Sequence, residues 1–306
     1  MYLSAERLAL ANRTVKETFE QSSVAWQAIP HWDTGDPTRT QVRSDRLPGE
    51  DAAEPAAKAP AKKVAAKAAP EDAAEDAPEE PAEPAPKKTA KKTAESAAEV
   101  AEFVDLFLAF DPFEVTLAEA ISPTPDAVLA KVIAATVNLA GKVDDAVFPA
   151  LLAENPHTAE VTETSDDGRL NGLIAARATV EKHGYRSPSC LVTNTAGLKL
   201  FSKIIDGVPG TGVLLTPANI NSLHRAEKLA DDNKVRGLLL GRRRRIAHGG
   251  AAEASPGAEP VDLAVSVPPG LELVGETNSN MIRLRVRMCY ALRLKDKGGL
   301  VVLRIP

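Results

Sequence analysis

Alternating apolar and polar residues near the C-terminus give the clearest pattern in the chain. From Ile282 to Leu294 every second residue is apolar, and arginine occupies four of the six positions between them. Because successive side chains of a β-strand point to opposite faces, this spacing predicts a long, half-buried strand with one arginine-rich face. Residues 261–267 and 300–305 are predicted to be its neighbouring strands.

The N-terminal region shows helical spacing instead. Its apolar residues recur at three- and four-residue intervals and predict an amphipathic helix, for which Ser4 is a suitable N-terminal cap. These apolar residues are Leu8, Ala11, Val15 and Phe19. A longer helix is predicted to begin at 124–126, with Pro125 at its first position, and to end or be interrupted at Gly141.

Shorter signals fill the rest of the chain. The continuous apolar run at 103–110 predicts a buried strand, followed by an extended stretch and a helical turn through 121. The later predicted elements are a helix after the loop at 166–168 that ends at Gly184, a strand at 187–194, a short helix at 197–205, a turn at 207–212 and a helix from Thr216 to Ala230. Long helices followed by an antiparallel sheet indicate the α+β class.

Composition divides the 306-residue chain into three parts. Residues 51–100 hold 19 alanines, 7 prolines, 8 lysines and 11 acidic residues, and none of the 50 is aromatic. Such a segment cannot bury enough apolar surface to offset the entropy lost on ordering, so we expect it to be disordered. We therefore predict an N-terminal helix and arm at 1–46, a disordered tether at 47–102 and a main domain at 103–306.

Charge limits the possible partners. The formal net charge of −5 excludes a generally basic protein that coats nucleic acid, but it allows local basic patches. The lysine pairs of the tether are separated by a block of acidic residues. That arrangement favours a solvated tether over a nucleic-acid-binding arm, because the acidic block cancels most of the attraction to phosphate.

Two groups of residues are predicted to contact another subunit. Both tryptophans, Trp26 and Trp32, lie in a segment too short for a core of its own, so they are expected to pack against another domain or subunit. The second group is a run of four guanidinium groups that needs anionic partners: nucleic acid, an acidic surface of a neighbouring subunit, or solvent. This run is Arg242, Arg243, Arg244 and Arg245. Of the three partners, the neighbouring subunit is the one we predict.

Candidate chemistry is sparse. His248 precedes two glycines, as in the oxyanion-hole loop of some esterases, but no G-x-S-x-G motif accompanies it. Cys190, Cys289 and the five histidines share no metal-ligand spacing. We expect no enzymatic activity, no catalytic residue, no metal and no cofactor. The N-terminus lacks the apolar core of a secretory signal, and no run of about 18 apolar residues would span a membrane, so a cytoplasmic protein is expected.

Five segments, taken in order, carry a resemblance to a known family. They are residues 103–121, 127–151, 169–194, 210–236 and 261–305. Together they resemble encapsulins, bacterial shell proteins with the Hong Kong 97-type fold of tailed-phage major capsid proteins. The second segment resembles the spine helix of that fold, which ends in an acidic pair and an apolar-Phe step. The matching residues here are Asp144, Asp145, Val147 and Phe148.

The resemblance implies a function in assembly. Copies would close into an icosahedral shell, a large homo-oligomer whose activity is geometric and not catalytic. The N-terminal helix would dock inside the shell and help to bind a cargo protein, through Leu8, Val15 and Phe19. A loop near a symmetry axis would shape a pore. Its residues would be Ala230, Asp231, Asp232, Asn233 and Lys234.

Some features depart from the family pattern, and alternatives stay open. The tether falls where the extended loop of the family would be, and the four-arginine run and Pro149 do not match the family. One alternative is a prophage major capsid protein with the same fold and DNA inside. Another is a nucleic-acid-associated protein that uses the basic arm and the arginine patch. Nucleic acid is a predicted partner only in these two cases, and a membrane is a partner in none.

Overall fold

The computed structural model describes residues 3–44, 102–154, 156–161, 163, 165–229, 235–244, 259–277 and 280–305. The α-helices in these ranges are α1 (Ala5–Ser22), α2 (Val24–Ala28), α3 (Leu117–Ile121), α4 (Asp126–Ala153), α5 (Asp166–Lys182) and α6 (Thr195–Phe201). The strands are β1 (His31–Asp33), β2 (Gln41–Ser44), β3 (Glu102–Asp105), β4 (Phe107–Thr116), β5 (His157–Glu160), β6 (Tyr185–Thr193), β7 (Ile204–Ile205), β8 (Val208–Pro209), β9 (Ile220–Arg225), β10 (Val235–Arg244), β11 (Val261–Glu276), β12 (Met281–Leu294) and β13 (Leu300–Ile305). The short helical turns are Thr211–Leu215, Glu227–Leu229 and Lys297–Gly299.

The described residues form two larger sheets, one of four strands and one of five. In the first sheet the strand order is β1-β11-β12-β4, where β12 is antiparallel to both neighbours and β1 is parallel to β11. In the second sheet the order is β5-β13-β10-β6-β9, with antiparallel pairs at the centre and parallel pairs at both edges. Strands β2 and β3 form an antiparallel ribbon, and β7 and β8 form a small hairpin. The mixture of helices and sheets confirms the α+β class.

Strand β12 is the long, half-buried strand that the alternation predicted. Its apolar residues Leu284, Val286 and Met288 are fully buried, whereas the arginines between them face outward. Strand β11 pairs with β12 as predicted, but the predicted pairing of β13 with β12 is wrong. The chain reverses after β12 through the turn at 297–299, and both sides of β12 are already occupied by β11 and β4. Strand β13 therefore joins the second sheet.

Helix α4 covers the inner face of the first sheet, and α1 packs against both α4 and β11. The predicted break at Gly141 is wrong, since α4 continues through it to Ala153. A glycine inside a helix costs only about 1 kcal/mol relative to alanine. The neighbouring side chains of Leu139 and Val143 are fully buried, and their burial outweighs that cost.

The helix predicted from Thr216 to Ala230 is wrong, because its central part forms strand β9 (Ile220–Arg225). Asn219 adopts a left-handed backbone conformation with φ of 59°, which ends the preceding turn, and β9 then pairs with β6. The helix predicted at 197–205 also ends early, at Phe201, because the β7–β8 hairpin turns through Asp206 and Gly207 at positive φ. Local spacing cannot separate a short helix from an edge strand when sheet pairing decides.

Several predicted helix ends are confirmed. The Ser4 side chain accepts a hydrogen bond from the Arg7 N–H and caps α1. Gly184, with φ of 84°, directly follows the end of α5. The predicted loop at 166–168 is instead the first turn of α5, because Ser165 caps the helix through the Gly168 N–H.

Two polar contacts fix α1 to the rest of the fold. The Arg7 guanidinium donates to the Ala120 carbonyl at 2.5 Å and also to the Ser122 carbonyl, at the C-terminal end of α3. Carbonyls at a helix end have no partner within the helix, so a cation there is favourable. Further along α1, Asn12 Oδ1 accepts a hydrogen bond from the Leu271 N–H at 2.9 Å. Helix α1 is thereby tied to two distant parts of the chain.

Replacement of Phe19 by alanine tests whether α1 belongs to the core. Phe19 is completely buried and meets Trp26 edge-on, with ring centroids 5.5 Å apart. We expect Phe19→Ala to lower the free energy of unfolding by about 3–5 kcal/mol, measured by urea denaturation. The exposed residue Leu10 on the same helix is the control, and Leu10→Ala should cost much less. Equal losses for the two variants would contradict the packing.

Candidate functional site

Four large apolar side chains are exposed along β3 and β4. They are Phe103, Phe107, Leu108 and Phe110, and we call them the aromatic strip. The exposed fractions are 60% for Phe103, 61% for Phe107 and 44% for Phe110. The predicted burial of 103–110 is therefore wrong within the subunit. A concentration of exposed phenylalanine of this kind marks an interaction surface.

An arginine-rich face lies on the outer side of β12. Across the β4–β12 pair it is next to Leu108 and Phe110 of the aromatic strip, whereas Phe107 is opposite Tyr290. Arg285 Nε is 2.5 Å and Arg287 Nε 3.1 Å from the same Glu272 carboxylate oxygen. Hydrogen bonding from Arg285 holds the pKa of Glu272 below its ordinary value. Arg283 pairs with Glu114 at 3.3 Å, and the Arg285 guanidinium lies 5.7 Å from the centre of the Phe110 ring. The three arginines are thus partly neutralised within the subunit.

A cleft of about 380 Å³ opens between the β2–β3 ribbon, the C-terminal half of α4 and β12. Its wall is mostly apolar and includes Phe107, Val147, Leu151 and Tyr290. Burial, and secondarily the charge of Asp144, raises the pKa of Tyr290 to about 12. The phenol is protonated at neutral pH and can donate a hydrogen bond.

The Asp144 carboxylate joins the N-terminal residues to α4. It accepts hydrogen bonds from the Ser23 hydroxyl at 2.8 Å, the Val24 N–H at 2.9 Å and the Ala25 N–H at 2.8 Å. These groups form the start of α2, so the carboxylate serves as an N-terminal cap supplied by another helix. Burial raises the pKa of Asp144, and the three hydrogen bonds oppose that rise.

A buried ionic cluster holds the ribbon on the first sheet. Arg293 binds both oxygens of Asp262 at 2.7 Å, and Lys295 approaches one of them at 2.5 Å. Another Arg293 nitrogen donates to the Arg43 carbonyl of β2 at 2.7 Å. The same guanidinium stacks over the Trp32 ring at 4.7 Å. Sequence reasoning missed this cluster, because the alternation of β12 revealed the arginine but not its distant partners.

The residues predicted to bind cargo occupy different environments. Val15 and Phe19 are fully buried against the subunit's own core, whereas Leu8 is half-buried. In this conformation Val15 and Phe19 hold α1 on the fold and are not available to a cargo protein. Cargo binding stays a prediction, and on α1 it depends on the more exposed side chains.

The residues predicted to contact another subunit also separate. Trp26 stacks on His31 at 3.7 Å, and Trp32 lies over Arg293, so both tryptophans pack on their own subunit. The backbone of Arg242–Arg244 forms the end of β10, and the backbone of Arg243 lies opposite that of Arg186 in β6. Arg245 and the predicted pore loop at 230–234 lie outside the described residues. The contacts of these residues with other subunits stay predictions.

Two further searches concern the described residues alone. In the ranges given above, no three His, Cys, Asp or Glu side chains are grouped so as to hold a metal ion. No helix in those ranges has both the length and the apolar character needed to cross a membrane.

Comparisons with known proteins identify the fold. No protein-family model and no curated protein matches the sequence. Among solved structures, a virus-like particle from Pyrococcus furiosus has a TM-score of 0.60 at 13% identity, covering 98% of this chain and 100% of that chain. The chain has the fold of this particle. Chains from Mycobacterium phages Bobi and Cain have TM-scores of 0.53 and 0.51, at 12% and 16% identity. They cover 93% and 94% of this chain, which covers 91% of each of them.

These likenesses confirm the fold implied by the sequence resemblance. The alignment with the particle covers 98% of this chain, and α1 packs against α4 and β11 of the predicted main domain. The segment resembling the spine helix is indeed one long helix, α4, and Asp144 lies in its C-terminal half. At these sequence identities the likeness concerns the fold, and the function follows only as a proposal.

Substitution of Asp144 tests how the N-terminal residues are held. Asp144→Ala removes all three acceptor contacts and should leave the buried N–H groups of α2 unsatisfied, at a cost of about 1–3 kcal/mol. We expect hydrogen exchange in residues 3–28 of this variant to be faster than in wild type, with exchange in α5 unchanged, as measured by mass spectrometry. Asp144→Asn keeps one acceptor oxygen and should have a smaller effect. Unchanged exchange in Asp144→Ala would show that apolar packing alone holds the segment.

The pH dependence of stability tests the same carboxylate. Since the folded state raises the pKa of Asp144 above its ordinary value of 3.8, the folded protein binds this proton more tightly than the unfolded chain does. The contribution of Asp144 should therefore be greatest below pH 3.8 and should decrease as pH rises through the folded-state pKa. The difference in unfolding free energy between wild type and Asp144→Asn isolates it. A difference that grows with pH would reverse this sign.

Proposed function

We propose that the chain is a self-assembling shell protein, whose copies close into an icosahedral, encapsulin-like compartment that encloses cargo. The aromatic strip carries this proposal. It exposes three phenylalanines, and burial of their exposed surface against a neighbour would contribute at most about 1.5–3 kcal/mol for each side chain. The likeness to the virus-like particle supports the same function, because it extends over nearly the whole chain.

The geometry of the strip favours contact between different surfaces of neighbouring copies. The aromatic strip lies on β3 of the ribbon and on β4, and the arginine-rich face lies on β12, the neighbour of β4 in the first sheet. A contact that joins this region to a different surface of the next copy is head-to-tail and closes into rings when the rotation permits. Rings that join into a closed shell need no catalytic residue, so assembly is the activity that we assign.

Cargo is the finer part of the proposal. Leu8 is half-buried and Leu10 exposed on α1, so this helix keeps apolar side chains available to an enclosed protein. Leu8→Glu should remove a co-purifying cargo protein from particles that still form. Such a compartment would lie in the cytoplasm. Equal cargo content in wild-type and variant particles would place cargo binding elsewhere.

A phage-type capsid that packages DNA is the second candidate. The two Mycobacterium phage chains favour it, since they share the fold over most of this chain. Against a major role for nucleic acid, Arg283, Arg285 and Arg287 are already paired with Glu114 and Glu272. Each paired arginine has less to gain from phosphate. Particles whose absorbance shows nuclease-protected nucleic acid would favour the capsid, and salt-dependent DNA binding by isolated subunits would favour a nucleic-acid-associated protein.

The first experiment measures the size of the purified protein. We expect light scattering on a sizing column, with negative-stain images of the peak, to show closed particles of uniform diameter after removal of nucleic acid. A monomer or small oligomer that persists across salt and protein concentrations would overturn self-sufficient assembly.

Substitution within the aromatic strip then identifies the contact. Phe103→Ser, Phe107→Ser and Phe110→Ser combined should abolish particles and leave folded subunits, because the apolar surface that a neighbour would bury is lost. The matched control replaces the same three residues by leucine and should still assemble. Circular dichroism checks folding in both variants. Normal particles from the serine variant would exclude the strip from the interface.

A further inference from the structure

Strand β4 is an unusually long sheet edge. The other edge strands of the two larger sheets are β1 with three residues, β5 with four and β9 with six, whereas β4 has ten. An edge strand presents unpaired N–H and C=O groups, which can pair with an extended strand from another chain. Short edges limit such pairing by their length. An edge of ten residues needs another form of protection, above all if many copies are concentrated in one particle.

Side chains occupy three of the free backbone groups of β4. Residues of an antiparallel strand alternate between facing the neighbour and facing away, and the even-numbered residues of β4 face the open edge. Lys142 Nζ donates to the Phe110 carbonyl at 3.0 Å, and Lys131 Nζ donates to the Glu114 carbonyl at 3.1 Å. The Thr116 N–H donates to a Glu119 carboxylate oxygen at 2.8 Å. Between these points, Pro112 has no N–H to offer.

Carboxylates hold both ammonium groups at the edge. Lys142 pairs with Asp111 at 2.6 Å, and Lys131 pairs with Glu119 at 2.7 Å. Both lysines project from α4, which packs against the inner face of β4. An incoming strand would have to displace two anchored cations before its N–H groups could reach the β4 carbonyls. It would also leave the displaced lysines without those acceptors.

We infer that Lys131 and Lys142, together with Pro112 and Glu119, close the β4 edge against strand addition by a second copy of the chain. The closed section extends from Phe110 to Thr116. The section around Leu108 lies outside these contacts. Neighbouring copies must then meet β4 through its exposed side chains, because they cannot extend its sheet. This inference goes beyond the proposed shell and holds for the subunit in any assembly.

The test removes the two donors and keeps their length. In Lys131→Met with Lys142→Met, the β4 carbonyls are free, and we expect a several-fold increase in thioflavin fluorescence and turbidity, with fewer well-formed particles. The matched control is Lys16→Met with Lys182→Met, which makes the same change in charge and apolar surface at two exposed helical positions. The control should behave as wild type. Equal association of the two variants would overturn the inference.

Two further variants separate edge closure from misfolding. The variant Lys131→Arg with Lys142→Arg keeps a donor at both positions and should not associate more than wild type. Strong association of this arginine variant would show that loss of stability, and not loss of the donors, causes association. Pro112→Val adds an edge N–H without touching either lysine and should increase association by itself. If wild type forms no particles, the shell proposal fails, but the comparison of fluorescence among folded variants still decides whether the edge is closed.

Discussion

A half-buried carboxylate from the middle of the chain fixes the position of the N-terminal residues. Asp144 has lost part of its hydration, and three hydrogen bonds from Ser23, Val24 and Ala25 offset that loss. With the start of α2 fixed there, α1 lies over α4 and β11 and covers the inner side of the first sheet. Helix α1 does not cover β3 and β4, and these two strands keep exposed apolar side chains.

Local signals predicted those parts of the fold that depend on neighbours in sequence. The alternation of β12 and the Ser4 cap of α1 were sufficient, because period and capping act within a few residues. The partner of β13 and the strand β9 were predicted wrongly, since both depend on which sheet edges are free after the chain has folded. The predicted break at Gly141 was also wrong, because the tertiary burial of its neighbours on α4 outweighs the weak local preference of glycine against a helix.

The candidate site was predictable only in part. The aromatic run at 103–110 was recognised as a strand, but its composition could not distinguish a buried strand from an exposed apolar one, because both have the same residue types. The arginine-rich face of β12 followed from spacing, whereas its acidic partners Glu114 and Glu272 could not be assigned without the strand register. Likewise, Trp32 was predicted to pack against another domain or subunit, and it stacks on Arg293 of its own subunit.

The two strands of the ribbon have a further consequence for how this fold tolerates change. Ser44 and Glu102 face each other as a registered pair, so the described residues on either side of 45–101 lie next to each other. For a flexible connection between fixed ends, each doubling of length costs only about 0.6 kcal/mol in closure entropy. Evolution could therefore lengthen, shorten or replace the sequence at this junction with little penalty to the subunit. The junction is equally a place where a foreign domain could be inserted and displayed.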